Sequence, residues 1–414
     1  MQMHIINKNM KNSFHTDHTL IIDELETSIK FHNLDLILGF LPKGSYLVGG
    51  FIRDIILGRK TEKLDVDIVV PLNAIEIGKK IADNIGSKFI ILDKKREVVR
   101  IILDHIDIDI ANQVASTIEG DLRSRDFSIN SISFLFDKKC LFDPLNGLKD
   151  LEISLLRTHS ENNLLNDPLR ILRCFRFVSE LNFKIDLRLI DFIKKNKGNL
   201  YLVAKERITY EIQKIVSGAN ALDAVLLIKK FNIFDTENLF EDSFFLDLEK
   251  INYGKLDQEE KDQYLPSFFI AQILDVVTLE KLKFSKADIA KTKLLRKWHL
   301  FLKNKNIAQL DEFDRFKLHQ ELEMFLPSFI FYLPQNLQLD WLHRWRDNDD
   351  KLFHPSNLVN GDVIKKNLGI KDGPILGELL QYLSKELAYK RLNNFDEAIY
   401  KAKRWIEQNA PKCD

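Results

Sequence analysis

Near residue 160 the hydrophobic period of the chain changes, and this change limits the fold more than any single motif. Before it, short β-branched runs alternate and are broken by Gly, Asp and Asn. Residues 46–48, 67–70, 89–92, 98–103, 106–111, 131–136 and 155–157 read as strands, with helices predicted over 51–57 and 74–84. From about Asn166 onward, apolar residues recur at helical spacing through 168–181, 187–194, 204–217, 221–231, 258–279, 286–302 and 311–325. Residues 237–257 and 347–357 read as linkers, and 360–408 as a small helical unit punctuated by Gly369, Gly373, Pro374 and Gly377. The pattern predicts an α+β domain followed by an all-α remainder.

At 414 residues the chain is long enough for two to four structural units. Its composition is that of a soluble globular protein, 45% hydrophobic and 29% charged. No apolar run approaches the ~18–20 residues that span a bilayer. The first residues are polar and lack a signal-peptide core, so a cytoplasmic location is expected. Formal net charge is zero, which argues against a non-specific polyanion binder but leaves room for a local basic stripe. Cys140, Cys174 and Cys413 are far apart and show no CxxC spacing, so neither a disulfide framework nor a zinc ribbon is expected. The histidines form no HExxH cluster. A metal would therefore be held by carboxylates, which selects a hard cation such as Mg2+.

The most informative stretch is YLVGGFIRD at 46–54. A short apolar strand ends in Gly49 and Gly50, and a helix then starts with Arg53 in its first turn. Two glycines admit a bulky anion close to the backbone. The helix start offers unpaired N–H groups, and Arg53 offers a guanidinium fork. Taken alone, this is as well explained by a tight strand-to-helix turn. The next element adds weight: Asp65 and Asp67 are two apart on a strand and so share a face. Paired carboxylates at the start of an apolar strand are costly unless positive charge lies between them, and two Mg2+ ions would supply it. A bare DxD also fits a solvated strand-entry turn. The run IDIDI at 106–110 puts Asp107 and Asp109 on one face and its isoleucines on the other. Asp109 is the expected third metal ligand, with Asp107 as the alternative, against a plain exposed strand face.

LVGGFIRD at 47–54 followed by DVD at 65–67 resembles the first motif of the class II tRNA nucleotidyltransferase and bacterial poly(A) polymerase family, within the polymerase-β-like superfamily. Later segments match in order. DLRSRDFSIN at 121–130 is similar to the family's DLxRRDFTIN, which implies that Arg125, Asp126 and Asn130 hold the nucleotide. Ser124 replaces the first arginine of the usual pair, a contact that Arg123 could supply. FDPLNGLKDL at 142–151 resembles DPxxGxxDL, with Pro144 and Gly147 shaping a hinge. NDPLRILR at 166–173 resembles EDPxRxxR, which implies base selection by Asp167 and Arg170, with Arg173 also binding nucleotide. A carboxylate beside a guanidinium one helical turn on can read a cytosine edge; an isolated match would be an N-cap with an i,i+3 ion pair. Asn166 stands where the family has Glu. KERITYEIQK at 205–214 resembles ERIxxEL, which gives Glu206 and Arg207 bracing roles. The resemblance is strong over about 44–215 and resumes at 355–404, where LVNGDVI and GIKDGPILG look like the family's tail.

The resemblance implies a nucleotidyltransferase head at 30–157 with a mixed β-sheet and helices. An elongated all-α neck at 158–275 and a body and tail at 276–414 follow. Asp65, Asp67 and Asp109 would position two Mg2+ ions, while Gly49, Gly50 and Arg53 hold the triphosphate of CTP or ATP. The RNA partner would be the acceptor arm and 3′ end of tRNA; neither DNA nor a membrane is an expected partner. Residues 281–305 are rich in Lys and Arg, with Trp298 and Phe301 interleaved. Lys291, Lys293, Arg296 and Lys297 are therefore candidate RNA contacts, against a plain amphipathic helix. Full CCA-adding members carry a long loop between the third-carboxylate strand and DLxRRDF. Here only residues 110–120 separate Asp109 from Asp121, which favours addition of CC, with complete CCA addition and poly(A) synthesis as alternatives. A reading of another class, an RNA-binding protein without activity, is opposed by the intact Asp65 and Asp67.

Overall fold

The computed structural model of the chain describes residues 18–59, 63–234 and 246–409. It divides into two compact units, 1–211 and 212–414. The first opens with α1 (His18–Phe31) and α2 (Asp35–Leu38). There follow β1 (Tyr46–Val48), α3 (Gly50–Ile56), β2 (Leu64–Val70), α4 (Ala74–Ile85), β3 (Lys88–Asp93), β4 (Val98–Leu103), β5 (Ile106–Asn112) and α5 (Ile118–Ser124). Next come β6 (Ser133–Leu135), β7 (Cys140–Phe142) and α6 (Gly147–Glu152). The seven strands form one sheet in the order β3-β4-β5-β2-β1-β6-β7. Within this sheet, among the described residues, only β2 and β5 pair in parallel, so the sheet is mixed as the sequence predicts.

Alternation along these strands separates core from cleft. Ile106, Ile108 and Ile110 of β5 and Val99 and Ile101 of β4 are buried, with α4 packed over both strands. The intervening residues project from the opposite face. In register, Asp65 pairs with Asp107 and Asp67 with Asp109, while Arg100 of β4 stands opposite Asp109. Cross-strand partners share a face, so four carboxylates and one guanidinium occupy the same side of the sheet.

The unit continues with β8 (Leu155–Leu156), α7 (Glu161–Asn166), α8 (Arg170–Leu181), β9 (Lys184–Ile185), α9 (Leu187–Asn196) and α10 (Lys205–Ser217), whose second half begins the next unit. β8 and β9 pair as a separate two-stranded parallel ribbon. The predicted helix at 168–181 starts only at Arg170. Asp167 is extended ahead of Pro168, as a residue before proline prefers, and its Oδ1 accepts the Leu169 N–H at 3.3 Å. Gly147 packs closely: a Cβ there would lie 2.3 Å from the Ser128 carbonyl oxygen. Asp143 caps its N–H at 2.7 Å, and buried Asp150 accepts from Ser128 at 2.5 Å and pairs with Arg157 at 3.0 Å. The predicted hinge segment is thus a fixed corner against the end of the 121–130 motif.

The second unit is helical in its described residues: α11 (Ala221–Lys230), α12 (Gln258–Ile273), α13 (Val276–Lys281), α14 (Lys286–Asn304), α15 (Glu312–Leu322), α16 (Leu326–Phe329) and α17 (Gln335–Arg346), then α18 (Gly361–Leu368), α19 (Pro374–Ala388) and α20 (Phe395–Asn409). The predicted run 258–279 breaks because Asp275 caps α13, accepting the Thr278 N–H at 2.6 Å. Phe268, Phe316, Phe329 and Phe353 are among its largest fully buried side chains. The last three helices close over their own apolar cluster, which includes Ile364, Leu379, Leu383 and Ala398. The predicted linker at 347–357 is a non-helical segment; the one at 237–257 lies partly outside the described residues. No helix among the described residues is long and apolar enough to cross a membrane.

Candidate active site

The glycine turn is shaped by what passes beside it. Gly49 has φ +79°, a conformation that side chains with a Cβ rarely adopt. A Cβ there would also come within 3.1 Å of both Asp67 Oδ2 and Arg125 Nη1. The turn therefore lets the backbone fit between a carboxylate and a guanidinium. Arg53, nearly buried, donates through Nε and Nη2 to Asp54 at 3.0 and 2.9 Å and through Nη1 to Asn130 Oδ1 at 2.7 Å. Its fork is engaged within the protein, so it faces the cleft as a fixed charge, with its Nε, Nη1 and Nη2 donors already partnered.

The carboxylate wall is uneven. Asp65 is exposed and Asp67 half-buried, and among the described residues neither side chain has an ion-pair partner. Burial pushes the Asp67 carboxyl up to about 6; the neighbouring charges of Asp109 and Asp65 add to this, and Arg125 opposes it. Across on β5, Asp109 accepts Arg100 Nε at 2.7 Å and Nη2 at 2.8 Å. Asp107 is buried, receives Lys63 at 2.7 Å and Arg100 Nη1 at 3.3 Å, and keeps Oδ1 without a partner. Asp109 thus lies on the face the sequence assigns it, in register with Asp67, but with both oxygens taken by an arginine. Among the described residues, no three His, Cys, Asp or Glu groups converge to hold a metal. The chemistry of a hard divalent cation fits Asp65 and Asp67, which are oxygen donors lacking a protein cation. At Asp109 that place belongs to Arg100.

The facing wall is basic and tightly tied. Asp126 is buried; desolvation would raise its carboxyl, but the Arg173 charge and its hydrogen bonds outweigh this and hold it well below the usual carboxylate range. It accepts Arg173 Nε and Nη2 at 2.8 and 2.6 Å, Asn130 Nδ2 at 2.9 Å and the Phe127 N–H at 2.8 Å. Arg125 donates to Asp121 at 3.3 Å. Phe177, fully buried, lies under three guanidiniums: Arg53 at 5.1 Å, Arg173 at 5.6 Å and Arg176 at 5.0 Å from its ring centre. Arg176 also pairs with buried Glu211 at 3.1 Å.

Asp167 and Arg170 both line the cleft, but they do not pair with each other. Asp167 Oδ2 accepts Arg207 Nη2 at 2.9 Å, and Arg170 Nη1 donates to the Asn163 carbonyl at 3.2 Å. Burial lowers the Arg170 pKa. The i,i+3 ion pair of the plain alternative is therefore absent, and the brace on Asp167 comes from the 205–214 motif.

Together these residues line one cleft of about 1210 Å3, which holds Gly49, Gly50, Asp65, Asp67 and Asp109 along with Arg53, Arg125, Asp126, Asn130, Asp167, Arg170 and Arg173. Arg123 is not among its lining residues: it pairs with Glu119 at 2.6 Å and meets His159, so it does not replace the arginine missing at Ser124. Asn166 is exposed and outside the cleft lining. On α14, in the second unit, Arg296 turns inward and donates to the carbonyls of Ala271 and Leu274 at 3.0 and 2.7 Å, capping the end of α12. That guanidinium holds carbonyls and is half-buried, which removes it as an RNA contact. Trp298 is core, Lys297 is exposed but paired with Glu321, Lys291 lies over Phe325, and Lys293 is exposed. The sequence reading missed Arg100 and Phe177. Arg100 is the only charged residue in VVRIIL at 98–103, a signal strong enough to have marked it.

A family model described as the poly A polymerase head domain matches residues 45–157, and one described as the probable RNA and SrmB-binding site of polymerase A matches 182–238. A CC-adding tRNA nucleotidyltransferase from Synechocystis is 28% identical over 87% of this chain and 94% of its own length. A CCA-adding enzyme from Ligilactobacillus salivarius is 27% identical over 88% of this chain and 93% of its own. Among solved structures, the Thermotoga maritima CCA-adding enzyme complexed with tRNA superposes with a TM-score of 0.69 at 23% identity, covering 94% of this chain and 98% of that one. The five ordered motifs, the mixed-sheet head and these matches agree: the chain belongs to the class II tRNA nucleotidyltransferase and poly(A) polymerase family.

Proposed function

We propose that the chain extends the 3′ end of tRNA with cytidines from CTP, releasing pyrophosphate, and stops before the terminal A. The short link between β5 and α5 carries the CC reading. Residues 113–117 alone join these elements, and they are pinned: Gln113 Nε2 donates to the Ala115 carbonyl at 2.7 Å, Asp121 Oδ1 accepts the Val114 N–H at 3.1 Å, and Thr117 caps α5. The similarity to the Synechocystis CC-adding protein supports the same reading.

In this scheme the RNA 3′-hydroxyl attacks the α-phosphate, its oxygen forms the new P–O bond and its proton passes to solvent, and the bond from the α-phosphorus to the pyrophosphate oxygen breaks. Asp65 and Asp67 would hold Mg2+, which supplies positive charge at the attacking oxygen and the triphosphate. Gly49 and Gly50 leave room for the triphosphate, and Arg53 and Arg125 place fixed charge behind it. Arg173, locked by Asp126, faces the same space. Asp167, steered by Arg207, accepts from the base edge while Arg170 donates to it. RNA contacts are assigned to 182–238 first and to Lys293 on α14 second.

The test is tRNA lacking its 3′ CCA, incubated with Mg2+ and CTP, ATP or both, with products read at single-nucleotide resolution. Growth by two residues with CTP and no further growth with both is expected. Growth by three with both would replace the CC reading by complete CCA addition, and long ladders with ATP would replace it by poly(A) synthesis.

A further inference from the structure

The carboxylate wall contains a feature that the transfer scheme does not use. Asp65, Asp67, Asp107 and Asp109 stand on one face of two adjacent parallel strands, in direct register. Like charges in such pairs repel, and a cluster of this kind stays ionised only when cations neutralise it. Among the described residues only Lys63 and Arg100 make ion pairs with these four, and both attach to the β5 pair. Lys63 reaches Asp107 alone, from the segment just before β2. Arg100 does more. It is the register partner of Asp109, takes both of its oxygens with Nε and Nη2, and extends Nη1 to Asp107 at 3.3 Å. A two-point fork of this kind fixes the carboxylate plane as well as its charge. One third of the Arg100 side chain remains exposed, so it can withdraw toward solvent without breaking the core.

We propose that Arg100 is a positioning residue that holds the Asp109 carboxylate in place and competes with a divalent cation for it. The proposal rests on the reading of Asp65 and Asp67 as the cation-holding pair. It explains why the third carboxylate lies in register with Asp67 and yet is fully engaged. A cation seated on Asp65 and Asp67 gains Asp109 only by displacing the guanidinium, so Arg100 sets how tightly the site binds metal.

The experiment is Mn2+ binding to the full-length chain, followed by electron paramagnetic resonance of the free ion, with thermal unfolding in Mn2+ and in EDTA alongside. Arg100→Met removes the competitor and should tighten Mn2+ binding by about tenfold, the effect of one adjacent charge on a carboxylate. It should also enlarge the rise in Tm that Mn2+ produces. Arg100→Lys keeps a charge without the fork and should show an intermediate gain. If Arg100→Met does not fold in either condition, Arg100→Lys decides alone. Unchanged or weaker Mn2+ binding in the variants would overturn the competition. The underlying reading fails separately: it is lost if Asp65→Asn with Asp67→Asn binds Mn2+ as well as the unsubstituted chain does.

Discussion

The two walls of the cleft carry opposite charge and are built by opposite rules. On the basic wall nearly every charged group is tied down: Arg173 by Asp126, Arg176 by Glu211, Arg207 by Asp167, Arg53 by Asp54 and Asn130. On the carboxylate wall, among the described residues, no protein cation pairs with Asp65 or Asp67, and Lys63 and Arg100 pair with the β5 carboxylates. A wall that must hold one planar base and one triphosphate benefits from groups fixed before the ligand arrives. A wall that must receive a cation needs oxygens left free for it. The difference suggests which ligand each side takes.

The largest effect is expected on the acidic side. Asp65→Asn with Asp67→Asn should lower nucleotidyl transfer on the order of a thousandfold or more, the loss expected when a principal electrostatic contact of the transition state is removed. Retained tRNA affinity in a filter-binding assay would separate this from unfolding. On the basic side, the expected effect is first on stability. Removing one member of a fully buried pair costs about 3–5 kcal/mol. Arg173 is 30% exposed and also lies 4.0 Å from Glu211, so Asp126→Asn should cost less than that while still lowering the urea midpoint. Replacing Asp126 and Arg173 together by Asn and Met should destabilise by less than the sum of the single changes.

Smaller effects sharpen the contrast. Arg207→Ala leaves Asp167 in place but frees its carboxylate to swing. Since that ion pair is half exposed, a change of only a few fold is expected, in KM for CTP and in the ratio of C to A incorporation, with kcat nearly unchanged. The walls also differ in their pH dependence. The Asp67 carboxyl titrates at about 6 in the folded chain, above its ordinary value of 3.8, so the folded state binds its proton more tightly. In EDTA this contributes stability that is full below about pH 4 and is lost as pH rises through 6. His319 acts in the opposite sense over part of this range. Buried between Trp341 and Phe353, it is pushed down to about 3, so its contribution is lost as pH falls below about 6.5. The Tm difference between the unsubstituted chain and Asp67→Asn isolates the carboxylate: it should change between pH 4 and 6 and be flat above.

Much of this site is legible in the residues themselves. Period-two alternation places Asp65, Asp67, Asp107 and Asp109 on one sheet face, and the ordered motifs collect the arginines opposite. The remainder depends on side-chain direction, which spacing does not encode. Asp167 and Arg170 have the spacing of a helical pair, but Pro168 keeps Asp167 out of α8, so its partner comes from α10 instead. Arg296 lies in a basic stripe, yet its long side chain reaches back to unpaired carbonyls at the end of α12. Phe177 looks like any core aromatic in the sequence; Arg173 and Arg176 precede it on the same helix, and only the fold adds Arg53 over its ring.

In the proposed scheme the carboxylate wall receives the cation and the basic wall the nucleotide. A crystal structure with Mn2+ and a non-hydrolysable CTP analogue tests it most directly. An anomalous peak is expected at about 2.2 Å from the carboxylates of Asp65 and Asp67, with the cytosine edge against Asp167 and Arg170. A Mn2+ ion held away from β2, or a base seated outside the reach of Asp167 and Arg170, would contradict it.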